Sequence, residues 1–233
     1  MGEIHRPRRE PRRNTGQAGA VAVPRGAAAV AVVAAALTLA LGLWHAGGSA
    51  PGPLDRAVAD AVHAVLTGHE PLLRPATLPT HPAVVLAAIG AVAATCLARG
   101  RPRAALLAVV APAVTVPVNT WLLKPGFGRM YGDHLAYPSG HTVSLATVLT
   151  VVVLLVPPGG WTRTAAVAVA ALPVTLAGIG MVGLGYHYGT DIVGGAAFAV
   201  AATVAVAALL ARLPGGRQRR TVPGEGGEPA DRA

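Results

Sequence analysis

The chain has 233 residues, 53% of them hydrophobic and only 12% charged, with a formal charge of +9 and a positive mean hydropathy. That balance excludes a disordered chain and leaves too little charge to cover an ordinary soluble domain, so an integral membrane protein is expected. Nucleic acid is not expected as a partner: the charge sits mostly in the two ends and one short loop, and aromatic residues, at 4%, are too few to form base-stacking platforms.

Residues 1–25 hold Arg6, Arg8, Arg9, Arg12, Arg13 and Arg25 among prolines, without apolar periodicity, and read as a disordered basic tail. Ala27 to Trp44 is apolar for 18 residues, about 27 Å of helix and near the minimum for a bilayer. The small residues Ala46 to Ala50 would also suit a signal-peptide cleavage site, but the run exceeds a usual h-region, and a retained first helix is the better reading. In the less apolar interval from Pro51 to Pro79, Leu54, Val58, Ala61, Val62, Val65 and Leu66 recur at helical spacing. Asp55, Arg56 and Asp60 fall on other faces, which predicts a short amphipathic helix at the membrane interface. His63 and His69 read as interfacial polar groups without metal-ligand spacing.

The second span is expected over Pro82 to Ala98, ending at Arg99, Arg101 and Arg103, and the third over Ala104 to Leu123, with kinks at Pro112 and Pro117. Lone Cys96 reads as a small buried thiol. A polar loop, Lys124 to His141, precedes a short fourth span, Thr142 to Val156. The fifth runs from Thr164 to Leu184 and the sixth from Asp191 to Leu213, before a second disordered tail over residues 214–233. The expected fold is therefore all-α: six transmembrane helices in one membrane domain, residues 26–213. With both termini cytoplasmic, 15 of the 19 basic residues fall on the inner side, as the positive-inside rule requires. The basic tails would then meet anionic inner-leaflet lipids, and the loops carrying His141 and His187 would share the extracytoplasmic face.

Those two loops carry the chemistry. Lys124, the chain's single lysine, and Arg129 are cations five residues apart beside Gly126 and Gly128, suited to an oxyanion such as phosphate. Pro138, Ser139, Gly140 and His141 add a hydroxyl, an accessible backbone N–H and an imidazole at a helix N-terminus, where anions are favoured. His187 and Asp191, at i and i+4, share a helix face, and a carboxylate on one imidazole nitrogen prepares the other as nucleophile or base. Two histidines can divide the work, one attacking phosphorus and the other protonating the leaving oxygen. Tyr131, Asp133 and His134 are auxiliary candidates.

The PSGH tetrad followed at this distance by His187-x-x-x-Asp191 resembles the type 2 phosphatidic acid phosphatases (PAP2), which share an active site with vanadium haloperoxidases. The resemblance covers Lys124 to Gly195 in motif terms. It implies a metal-independent membrane phosphatase acting on a lipid phosphate or diphosphate, without a cofactor, through a phosphohistidine. His187 would be the nucleophile, Asp191 its orienting partner and His141 the acid for the leaving alcohol, while Lys124, Arg129, Ser139 and Gly140 would hold the phosphoryl oxygens. Isoprenoid diphosphates, phosphatidic acid and phosphatidylglycerol phosphate are all compatible substrates. Six apolar spans exclude a soluble haloperoxidase. Two departures stand out: Tyr131-Gly132 replaces the Arg-Pro that closes the family's first motif, and Gly180-Met181 replaces the Ser-Arg that opens its third. Loss of a charge-stabilising donor typically costs about 10²–10³ in rate. A lipid-phosphate binding or transport protein that keeps the cradle without turnover is therefore the second expectation.

Overall fold

A computed structural model describes residues 26–157 and 159–213; the two expected tails, residues 1–25 and 214–233, lie outside the described residues. Nine α-helices are described: α1 Ala27–Trp44, α2 Pro53–Leu66, α3 Leu73–Thr77, α4 Pro82–Ala98, α5 Pro102–Val118, α6 Lys124–Phe127, α7 Gly140–Leu155, α8 Gly160–Gly183 and α9 Gly189–Arg212. The only described strands are β1 Met130–Tyr131 and β2 His134–Leu135, an antiparallel hairpin. Among the described residues the fold is all-α apart from that hairpin, and each of the six expected apolar segments is helical.

By length and composition, α1, the α5–α6 unit over Pro102–Phe127, α8 and α9 can each cross a membrane. A fifth crossing results if the turns over Glu70–Thr80 and α4, bent by 42° at their junction, form one broken span. Helix α7, with 16 residues, is shorter, about 24 Å at 1.5 Å per residue. The large apolar side chains left on the outside, such as Val32, Leu43, Leu86 and Val169, are those of a membrane protein whose helices turn outward to lipid.

Helix α9 is the centre of the bundle, packing against α1, α7 and α5, while α7 also packs on α5 and α8. Small residues permit this. A Cβ on Gly194 would lie 2.3 Å from the ring of Tyr137, and one on Gly195 would lie 2.8 Å from the Ser139 carbonyl. The start of α9 is thus pressed onto the loop that begins α7, and the Ser139 N–H donates to the Asp191 carbonyl at 3.1 Å. From the other side, Tyr137 donates its hydroxyl to the Thr38 carbonyl of α1 at 2.5 Å. Cys96 is buried, as expected, among Ala104, Leu107 and Ala108 of α5.

Kinks are expected at Pro112 and Pro117. Helix α5 continues through both prolines, and the turn that follows, Asn119–Leu123, widens into a π-helix before α6 resumes. Proline lacks the N–H that would close the previous turn, so a local change of register is the usual relief. The widened turn aims Asn119, 1% exposed, at the loop ahead of α7, where its Nδ2 donates to the Pro138 carbonyl at 3.3 Å. Gly128, with φ of 61°, ends α6 in the left-handed region rather than lining a ligand site.

Helix α2 departs from expectation in which residues it turns inward. Val58 and Val62 are partly buried and Leu54 and Val65 are exposed, but Asp55, expected on another face, is 2% exposed. The reason is a buried partner, Arg129, which periodicity alone does not reveal.

The close approach of α9 makes a prediction. Gly195→Ala should lower the thermal midpoint in detergent and displace the Ser139 loop, at about 1–3 kcal/mol for an overpacked contact. Gly90→Ala on α4, where an added Cβ meets nothing within 4 Å, is the matched control and should leave the midpoint unchanged or slightly raised.

Candidate active site

The chemistry-bearing side chains converge at one end of the bundle because α7 and α9 both begin there, beside the α6–hairpin segment. A cavity of about 1040 Å³ opens at this end. Lys124, His134, Gly140, His141, Tyr186 and His187 form its polar mouth, and it continues between α4 and α5 along Val85, Leu86, Ile89, Pro112 and Val116. The mouth is cationic and hydrogen-bonding, and the interior is almost wholly apolar.

His187 sits 5% exposed, with its ring centroid 6.0 Å from that of His141 and 6.1 Å from that of His134. Its Nδ1 is buried without a hydrogen-bond partner and lies 3.7 Å from Asp191 Oδ2. That exceeds hydrogen-bond length, yet a movement of less than about 1 Å would close it, and catalytic hydrogen bonds are often long in unliganded sites. With Nδ1 turned to Asp191, Nε2 is left for the cavity. Burial holds the His187 pKa below the ordinary histidine value, against the opposing pull of Asp191; the charges of Lys124 and His134 add to the lowering.

Lys124 is half-buried at the cavity mouth and donates Nζ to the Leu135 carbonyl, which anchors the base of the hairpin. Gly140 and His141 open α7, so their N–H groups have no acceptor within the helix, and both residues line the same mouth as Lys124. Ser139 is placed differently: it is 0% exposed and caps α7, its Oγ accepting from the Thr142 hydroxyl at 3.1 Å and the Thr142 N–H at 3.4 Å.

Arg129 is also placed differently from its expected position on a phosphate. It is 0% exposed and does not line the cavity. Nη2 donates to Asp55 Oδ2 at 2.6 Å, and Nη1 donates to Asp191 Oδ1 at 2.7 Å and to the Thr190 hydroxyl at 2.6 Å. The Tyr188 ring covers the guanidinium, 4.4 Å from its carbon to the ring centre. Asp55 accepts further from the Thr190 N–H at 2.9 Å and the Thr190 hydroxyl at 2.8 Å. Burial opposes ionisation of Asp55, but the Thr190 and Arg129 hydrogen bonds prevail and hold its carboxyl below the ordinary range. Asp55, Thr190 and Tyr188 are the residues that sequence reasoning missed. An aspartate on an otherwise amphipathic helix was the one available signal.

The auxiliary candidates separate. Tyr131 packs against Tyr188, with ring centres 4.5 Å apart and planes tilted by 48°. Asp133, at the hairpin tip, is fully exposed and lies 3.6 Å from His134 Nδ1. His134 alone of the three reaches the cavity mouth, its Nε2 3.4 Å from the Tyr186 carbonyl. Among the described residues no group of three or more His, Cys, Asp and Glu is arranged to hold a metal ion.

The unusual residues at the start of the third motif also have a structural account. A Cβ on Gly180 would lie 2.8 Å from the Leu73 carbonyl, so α8 can pack on α3 only with glycine there. Met181 is 1% exposed and packs with Leu145 and Ala177 between α7 and α8, away from the cavity. Met181→Arg should therefore bury an unpaired charge, with a fall of about 5–10 °C in thermal midpoint rather than a repaired phosphate clamp. A scan of midpoint and activity together checks this, since a gain in both would place residue 181 at the substrate.

The PAP2 superfamily model matches residues 81–214, more than half of the chain and all of the segment that carries the site except Asp55. Comparison with curated proteins and with solved structures gave no match. The paired histidines at the mouth of a helical membrane bundle and the extent of the match lead to one conclusion: the chain belongs to the PAP2 superfamily.

Proposed function

We propose that the protein is a membrane lipid-phosphate or diphosphate phosphatase that works through a phosphohistidine and needs no metal. The observation that carries this reading is the cavity itself, with His187, His141 and Lys124 at a polar mouth and an apolar passage between α4 and α5 behind them. Phosphate headgroup chemistry and an alkyl chain have adjoining places there. Neutral His187, donating Nδ1–H to Asp191, would attack phosphorus through Nε2 as the P–O bond to the leaving group breaks. His141 would give that oxygen its proton, and Lys124 with the first N–H groups of α7 would hold the non-bridging oxygens. Water attacking phosphorus would then break the P–N bond, its proton passing to His141, and release inorganic phosphate.

The same reading places six spans in the membrane, with α2 at the interface, both termini inside and the site outside. Trp44, Trp121 and Trp161, all strongly exposed, stand at helix ends, where indoles anchor to lipid headgroups. Trp44 and Trp121 mark the end that holds the site. The second reading, a lipid-phosphate binding or transport protein, is favoured by the burial of Arg129 and Met181, which leaves Lys124 as the one fixed cation among the residues at the cavity mouth.

Phosphate release from phosphatidic acid and from an isoprenoid diphosphate, with chelator present, separates the two. The phosphatase reading expects release that survives chelator and disappears in His187→Ala; tight binding by folded protein without release supports the second. In His141→Ala, turnover of an alkyl phosphate should fall by about 10²–10⁴, and an activated aryl phosphate should suffer much less; equal losses would remove His141 from the acid role. Because His187 must be neutral to attack and its pKa is lowered, the acid limb of the pH–rate profile should lie below about 6.5. An acid limb well above that value would contradict the assignment.

A further inference from the structure

We propose that Asp55 is a positioning residue for the His187–Asp191 pair, acting through Arg129; this rests on the phosphatase reading above. Asp55 lies on α2, outside residues 81–214 that match the superfamily, yet it is tied to the catalytic loop more firmly than any other residue of its helix. Its two oxygens divide the task. Oδ1 takes the Thr190 N–H and hydroxyl, fixing the first turn of α9, and Oδ2 takes Arg129 Nη2 and the Gly52 N–H. Held in this way, Arg129 presents Nη1 to Asp191 Oδ1, while the Tyr188 N–H occupies Asp191 Oδ2 at 2.9 Å. Asp191 is thereby locked in position behind His187 Nδ1.

Charge gives the arrangement a catalytic meaning beyond structural support. Asp55, Arg129 and Asp191 together carry one net negative charge behind the imidazole. Without the carboxylate of Asp55, the guanidinium would balance Asp191 alone, and the attraction that makes His187 basic would weaken. The other groups facing the pair are Lys124 on α6, His134 on β2 and His141 on α7, and His45 lies at the Gly52 side of Asp55. None of them replaces a buried carboxylate. The family's usual phosphate-facing role for an arginine in this loop is thus exchanged here for a buried one, and α2 becomes part of the active-site framework.

The test uses the full chain in detergent or lipid nanodiscs, with short-chain phosphatidic acid as substrate. Asp55→Asn should lower kcat by about tenfold or more with KM within about twofold, and should move the acid limb of the pH–rate profile to lower pH. The double variant Asp55→Asn/Arg129→Gln, which restores one net negative charge, should return that limb to the wild-type position or above it. A folded Asp55→Asn protein with unchanged kcat, or reduced kcat with an unmoved limb, would overturn the proposal, as would a double variant that shifts as the single one does. Should Asp55→Asn fail to fold, Asp55→Glu keeps the charge on a longer arm: lower kcat with an unmoved limb supports positioning, and unchanged kcat overturns it. Histidine NMR titration, with the His187 signal assigned by its loss in His187→Ala, reads the coupling without turnover. A His187 signal that titrates lower in Asp55→Asn supports the coupling even if the wild type releases no phosphate, an outcome that would sink the phosphatase reading alone.

Discussion

The structure depends on a buried charge network in which one guanidinium, Arg129, joins carboxylates from two distant parts of the chain, Asp55 on α2 and Asp191 on α9. All three side chains are at most 2% exposed. Such a network is conditional: complete, it repays much of the cost of desolvating its charges, but removal of one member leaves a buried charge unpaired at about 3–5 kcal/mol. Specificity of arrangement is therefore its main contribution. It allows one position for the Tyr188–Asp191 turn, and hence one for His187.

Around that fixed point the small residues of the bundle become intelligible. Gly194 and Gly195 bring α9 against Tyr137 and Ser139, and Tyr137 in turn reaches α1, so the two histidine-bearing segments share one rigid foundation. The π-helical turn after Pro117 serves the same end by aiming Asn119 at Pro138. A site that transfers a phosphoryl group gains most from such preorganisation, because positioning and fixed dipoles supply most of the stabilisation. None of the network's residues lines the apolar passage between α4 and α5, so a chain entering there would leave the ionic framework undisturbed.

Much of this was legible in the sequence. The apolar segments gave the helices, Ser139 and Gly140 marked the start of α7, and the i, i+4 spacing of His187 and Asp191 put them together. What was not legible was where a cation points. Arg129 beside glycines reads as an anion ligand, and only its burial between Asp55 and Asp191 assigns it to the framework. Ser139 similarly reads as a ligand hydroxyl but serves as a helix cap. The substitutions at Gly180 and Met181 read as gaps in a phosphate clamp, whereas contacts with Leu73 on one side and Leu145 on the other make them packing residues. Such outcomes depend on partners distant in the chain, 74 residues apart for Asp55 and Arg129, which local pattern does not encode.

The central claim is that His187 becomes covalently phosphorylated. Brief mixing of the protein with a ³²P-labelled lipid phosphate, an alkaline quench and peptide mass spectrometry would test it directly. The account predicts a phosphoenzyme that is stable to alkali, labile to acid, mapped to His187 and absent in His187→Ala. Phosphate release without such a species, or with the label on another residue, would contradict it.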